Sequence, residues 1–244
     1  MTVRVKICGM NDAAAIDAAI AAGADWVGFV FFPPSPRYVT PAQAAALSAR
    51  HPGGAGRVGL FVDPTPEQIA AALAALPLDA LQLYTAAASA ADLRARFDVP
   101  VWRAIGIAAA ADLPATADGI DAVLLEAKAP RDATRPGGNA RRFDWTVLRG
   151  WSAPAPWMLG GGLDPANVAE AIAITGAPAV DVSSGVESAP GRKDPALIRR
   201  FVSNAKAGIP QNAFLLLPPP CGEGRGGGGQ ARTDPVCSVP ALDP

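Results

Sequence analysis

Short runs rich in Val, Ile, Leu and Phe alternate along the chain with Ala-rich segments of helical character, the order expected of a parallel sheet wrapped by helices. The pattern predicts strands over 3–8, 26–32, 57–62, 79–84, 100–105, 121–126, 156–160 and 179–183. Helices are expected to fill much of 12–22, 41–50, 66–76, 87–97, 165–175 and 194–206, with shorter or irregular helical pieces after the fifth and sixth strands. Thr40-Pro41, Thr65-Pro66 and Asp164-Pro165 read as helix starts, a capping side chain followed by proline at the first helical position.

Eight strand–helix units within about 205 residues match a compact α/β fold, a single (βα)8 TIM barrel over residues 1–207. The alternative is a doubly wound open sheet. Such sheets usually carry a Gly-rich turn after the first strand, whereas Cys8-Gly9-Met10-Asn11-Asp12 contains no GxGxxG. Residues 208–244 change character, with clustered Pro and Gly and no sustained period, and are expected to form a disordered C-terminal tail. An incidental extension is favoured there over a partner-binding segment.

A hydrophobic fraction of 50% against 18% charged residues is ample for a core, and a net charge of −1 gives no electrostatic reason to expect nucleic acid as a partner. The N-terminus, MTVRVKICG, lacks a targeting pattern, and no apolar run approaches the roughly 20 residues that span a bilayer, so no membrane association is expected and the location is read as cytoplasmic. Only Cys8 lies in the patterned region; Cys221 and Cys237 fall in the tail, and reduced thiols are expected. The sole histidine, His51, sits in RHPGG at a helix end and reads as a solvated loop residue, which argues against histidine catalysis and a metal site. Oligomeric state is left open.

Barrel active sites lie at the C-terminal ends of strands, so inward residues there are the candidates for chemistry. Alternation in the first strand turns Val3, Val5 and Ile7 towards the helices and Arg4, Lys6 and Cys8 inward, which brings Cys8 to the mouth as a functional thiol or a small buried hydrophobe. In the sixth strand, Val123 and Leu125 face the helices while Ala122, Leu124 and Glu126 face inward. Glu126 is thus either a catalytic acid or a salt-bridge partner of Lys6, Lys128 or Arg103. The loops Gly160-Gly161-Gly162-Leu163-Asp164-Pro165 and Ser183-Ser184-Gly185-Val186-Glu187 follow the seventh and eighth strands, the usual phosphate site of such barrels, and supply small residues with free backbone N–H groups.

With these residues the sequence resembles the phosphoribosylanthranilate isomerase family from residue 3 to about 206. The resemblance rests on VKICGM at 5–10, GADWVGFVFFPPSPRYV at 23–39, RVGLFVD at 57–63, ALQL at 80–83, FDW at 143–145, GGLDPANV at 161–168 and AVDVSSGVESAPGRKD at 179–194. It implies an isomerase of tryptophan biosynthesis that acts on a small phosphosugar, without a cofactor, by an Amadori rearrangement. Cys8 then matches the general base, its thiol brought towards neutrality by the charge of Lys6 or Arg103. Glu126 occupies the position of the general acid. Arg37 matches the residue that grips the anthranilate carboxylate, Asp181 an inward aspartate near the sugar hydroxyls, and Gly161, Gly162, Ser184 and Gly185 the phosphate loops. Three positions depart from the family pattern: Glu126 stands where an aspartate is usual, Tyr84-Thr85 replace His-Gly, and Gly137-Gly138-Asn139-Ala140 replace Gly-Gly-Ser-Gly. Another phosphosugar isomerase or epimerase, or a binding barrel without turnover, are the competing readings.

Overall fold

The computed structural model describes residues 2–130, 133, 136–137 and 141–207. The expectation for the tail over 208–244 therefore lies outside the described residues, as does most of the Gly137–Ala140 departure.

Eight parallel strands close into a barrel in sequence order: β1 (Arg4–Cys8), β2 (Trp26–Val30), β3 (Gly56–Val62), β4 (Ala80–Tyr84), β5 (Val101–Ile107), β6 (Ala122–Ala127), β7 (Trp157–Leu159) and β8 (Ala179–Val182), with β1 paired to β8. The open-sheet alternative is thereby excluded. Six α-helices run among the described residues: α1 (Ala13–Ala21), α2 (Pro41–Ser48), α3 (Pro66–Ala75), α4 (Ala87–Arg96), α5 (Val168–Thr175) and α6 (Pro195–Lys206). Among the described residues, the segments after β5 and β6 hold only 3-10 turns, Ala110–Asp112 and Trp145–Leu148, in agreement with the irregular helical pieces expected there.

Helix starts follow local chemistry. Thr40 and Thr65 each accept a hydrogen bond from the third helical amide while Gln43 and Gln68 reach back to the cap, so two otherwise orphaned donors are satisfied at each end. Asp164 behaves differently. Its side chain accepts from the amides of Ala166 and Asn167 and so closes a local turn, which delays α5 to Val168 rather than the expected 165. A second difference is a short antiparallel hairpin, β9 (Glu187–Ala189) and β10 (Arg192–Lys193), which the hydrophobic pattern did not reveal.

Burial falls into layers. Val5, Ile7, Val123 and Leu125 join the core between sheet and helices, which α6 completes with Ile198, Phe201, Val202 and Ala205. Inside the barrel, Trp26, Trp102, Ala104, Leu124, Met158 and Ala179 fill the end nearest the strand N-termini, and Cys8, Val30, Leu60, Val62 and Tyr84 cluster towards the mouth. The strand alternation thus places Lys6, Cys8 and Glu126 inside, as the sequence predicts.

Candidate active site

One cavity at the barrel mouth brings together Cys8 from β1, Arg37 from the loop after β2, Glu126 from β6, Asp181 from β8 and the glycine loops after β7 and β8. All of the sequence-predicted site residues lie in or beside it. Among the described residues, no group of three or more His, Cys, Asp or Glu side chains is arranged to hold a metal ion.

Strand register builds the floor of the site. Lys6 and Asp181 are direct partners across β1 and β8, and the Lys6 ammonium meets the Asp181 carboxylate at 2.7 Å with its side chain fully buried. Burial alone would lower the lysine pKa; Asp181 and Cys8 more than offset this and raise it, so Lys6 is a fixed cation under the cavity. Cys8 faces Gly28 of β2, where a Cβ would stand 2.9 Å from its sulfur, so glycine at this position leaves room for the thiol.

The proton affinity of Cys8 differs from the expectation. Burial pushes the thiol pKa up, and although Lys6 opposes the rise, Asp181 adds to it. Lys6 cannot act as an unshared activating charge because its ammonium is already committed to Asp181. Arg103, the other candidate activator, donates to the Thr85 carbonyl oxygen at 3.2 Å and approaches Asp118 at 3.8 Å instead.

Glu126 has none of the ionic partners considered for it. Lys6 holds Asp181, Lys128 holds Asp112 and Arg103 leans on Asp118. Burial lifts its pKa to about 8, a rise to which Asp181 adds and which the Tyr84 hydroxyl and the charge of Lys6 oppose. The side chain is therefore a neutral carboxylic acid at pH 7, with a proton to give.

Arg37 is buried and already engaged: its Nε and Nη2 donate to the two carboxylate oxygens of Glu187 at 2.6 and 2.8 Å. That pairing uses one edge of the guanidinium and leaves the Nη1–Nη2 edge for a planar anion. Glu187 also accepts from Lys193 at 2.8 Å, and these two cations hold its carboxyl below the ordinary value even though burial works against them. Sequence reasoning assigned no role to Glu187 or Lys193. The available signal was Pro190-Gly191, a turn pair; Gly191 adopts φ 78° and seats the β9–β10 hairpin against Pro36, beside Arg37.

The two glycine loops meet backbone to backbone. A Cβ on Gly185 would collide with the Leu163 carbonyl oxygen, and Gly161 adopts φ 77° against the Ala127 amide. Among the described residues, the amides of Gly161, Gly162, Ser184 and Gly185 donate to no protein acceptor. They form a cluster of unpaired donors of the kind that binds phosphate.

The chain matches the family model for N-(5'phosphoribosyl)anthranilate (PRA) isomerase over residues 5–204. The relative named N-(5'-phosphoribosyl)anthranilate isomerase from Acidiphilium cryptum is 57% identical over 206 residues, covering 84% of this chain and 98% of that protein. The one from Granulibacter bethesdensis is 55% identical over 204 residues, covering 83% and 98%. Among solved structures, the phosphoribosyl anthranilate isomerase of Thermotoga maritima superimposes with a TM-score of 0.72 at 35% identity, over 84% of this chain and 99% of that one. A phosphoribosyl anthranilate isomerase in complex with reduced 1-(o-carboxyphenylamino)-1-deoxyribulose 5-phosphate gives 0.72 at 34% identity with the same coverage. On the strength of the matched family model and these relatives, the chain belongs to the N-(5'-phosphoribosyl)anthranilate isomerase family.

Proposed function

We propose that this chain converts N-(5-phosphoribosyl)anthranilate to 1-(2-carboxyphenylamino)-1-deoxyribulose 5-phosphate in tryptophan biosynthesis, with Glu126 as general acid and Cys8 as general base. The observation that carries the assignment is the pairing, in one cavity, of a buried carboxyl, its pKa raised by that burial, with a buried thiol. The phosphate of the substrate sits on the amides of Gly161, Gly162, Ser184 and Gly185, and the anthranilate carboxylate takes the open edge of Arg37. Asp181, held by Lys6, presents its remaining acceptor capacity to the sugar hydroxyls.

Glu126 gives its proton to the furanose ring oxygen as the bond from that oxygen to C1' breaks, and the anthranilate nitrogen lone pair forms a C1'=N iminium. Cys8 then removes the proton on C2'; the electron pair left behind forms the C1'=C2' bond and neutralises the nitrogen. The enolamine tautomerises to the ketone. Burial raises the resting pKa of Cys8, so the thiolate is scarce in the empty site. The cationic iminium supplies a positive charge beside it when the base is required, and an opposite charge at short range favours the thiolate.

The test is a comparison of three proteins with phosphoribosylanthranilate as substrate. Glu126→Gln is expected to lose most of kcat, by roughly 10²-fold or more, with a modest change in KM. Glu126→Asp is expected to keep measurable activity, because the acid survives and only its reach changes. Normal turnover by Glu126→Gln removes this residue from the mechanism.

A further inference from the structure

We propose that Tyr84 is a positioning residue for Glu126, its phenolic O–H directed at the carboxyl group so that it stabilises the carboxylate formed when the acid gives up its proton. The proposal rests on the assignment of Glu126 as the acid. Gln82 and Tyr84 lie two apart on β4 and so point to the same, inward face. The Gln82 side-chain amide is fully buried and donates from Nε2 to the Tyr84 hydroxyl oxygen at 3.4 Å. With that oxygen accepting from below, the single phenolic proton is left to donate upward.

What stands there is Glu126. A Cβ built on Gly137 would collide with the Tyr84 hydroxyl and lie 2.8 and 2.9 Å from the two carboxylate oxygens of Glu126, so one glycine closes over both groups at once. Burial lifts the tyrosine far above its ordinary pKa, and the neighbouring carboxylates and Cys8 add to this, so the hydroxyl stays protonated and remains a donor across the working pH range. The other charged or titratable groups lining the cavities that Glu126 shares are Cys8 on β1, Arg37, Asp63, Lys128 and Asp181 on β8, with Lys6 beneath; the neighbouring inward positions of β5, Ala104 and Gly106, carry none. Lys6 is held by Asp181, Lys128 by Asp112 and Arg37 by Glu187, so among the described residues the Tyr84 hydroxyl, gathered with the Glu126 carboxyl against Gly137, is the donor placed to serve the acid.

In the transfer step Glu126 loses its proton to the ring oxygen and becomes anionic, while Tyr84 keeps its own proton and shares it. A donor to an anion is shorter and stronger than a donor to a neutral acid, so the contact strengthens along the reaction coordinate. The Tyr84 hydroxyl also opposes the rise in the Glu126 pKa that burial causes.

The experiment uses Tyr84→Phe, Glu126→Gln and the double variant of the full chain. Tyr84→Phe is expected to lower kcat roughly 10- to 100-fold with little change in KM. The limb of its pH profile that reports Glu126 should move to higher pH, because Glu126 has lost the donor that favoured its charged form. Loss of a merely structural hydroxyl would leave that limb in place. An activity-independent reading comes from the infrared band of the protonated Glu126 carboxyl, identified by its absence in Glu126→Gln; in Tyr84→Phe this band should persist to higher pH. In the Glu126→Gln background, Tyr84→Phe is expected to cost nothing further. Unchanged kcat in Tyr84→Phe, or a lowered kcat with an unmoved limb and band, overturns the proposal while leaving Glu126 as the acid. Normal turnover by Glu126→Gln instead removes the assignment beneath it.

Discussion

Replacing Glu126 by Gln in the substrate-free protein is predicted to make the fold more stable relative to the parent, by an amount that grows with pH. Glu126 is buried to 6% exposure, and its pKa stands at about 8 against an ordinary 4.5. Its folded-state pKa is raised, so between pH 4.5 and about 8 the folded chain keeps a proton that the unfolded chain has already released. The unfolded state binds fewer protons across that window, and the parent loses about 1.4 kcal/mol of stability for each pH step. Over the whole interval this amounts to ~5 kcal/mol, fully spared below pH 4.5 and fully lost above about 8. Glutamine cannot ionise and escapes the loss, whereas every other group titrates alike in both proteins and cancels in the difference. Urea unfolding of parent and variant at several pH values across the window measures that difference directly. A gap that widens with pH, towards a large fraction of a typical domain's total stability, is the expected result. Two parallel stability profiles would refute the reasoning, since they would mean that Glu126 is already ionised in the folded protein at neutral pH.

Other outcomes can be checked by standard kinetics. Cys8→Ala should lower kcat by roughly 10²- to 10⁴-fold, the usual worth of a general base, with substrate affinity and fold retained; an unchanged kcat removes the thiol from the chemistry. Arg37→Lys should raise KM roughly tenfold or more with kcat little affected, because a point charge cannot serve Glu187 and a substrate carboxylate through two planar edges; an unaltered KM would place the substrate carboxylate elsewhere. A stop after Ala207 should leave melting temperature and kcat/KM unchanged, since the family match ends at residue 204 and a relative spans 98% of its own length within 206 aligned residues. Loss of either quantity on truncation would assign the tail a role.

The sequence was most informative where chemistry is local or periodic. Runs such as Val5-Lys6-Ile7-Cys8 and Val123-Leu124-Leu125-Glu126 alternate between the helix layer and the barrel interior, so period two sufficed to bring Cys8 and Glu126 to the mouth. Capping at Thr40 and Thr65 was equally readable because the acceptor and donor lie within one turn. What escaped depends on segments far apart in the chain. Arg37 finds Glu187 across 150 residues, and Lys6 finds Asp181 across 175, so neither partner could be inferred from spacing. Burial outweighs the charge of Lys6, which is why the Cys8 pKa rises rather than falls as expected. The hairpin that carries Glu187 has strands of three and two residues, too short for alternation to register. Tyr84 was visible only as a departure from the family pattern; its meaning emerged once β4 and the Gly137 turn were seen to enclose Glu126.

The central claim is that this chain turns over phosphoribosylanthranilate through Cys8 and Glu126. Its most direct test is to mix the purified protein with freshly prepared substrate, follow the loss of substrate fluorescence and identify what forms. The account predicts catalysed decay yielding one equivalent of 1-(2-carboxyphenylamino)-1-deoxyribulose 5-phosphate, with the rate falling to background in the Cys8→Ala/Glu126→Gln double variant. Saturable binding of the substrate with decay no faster than in buffer would contradict it, and would leave a phosphosugar-binding barrel without turnover.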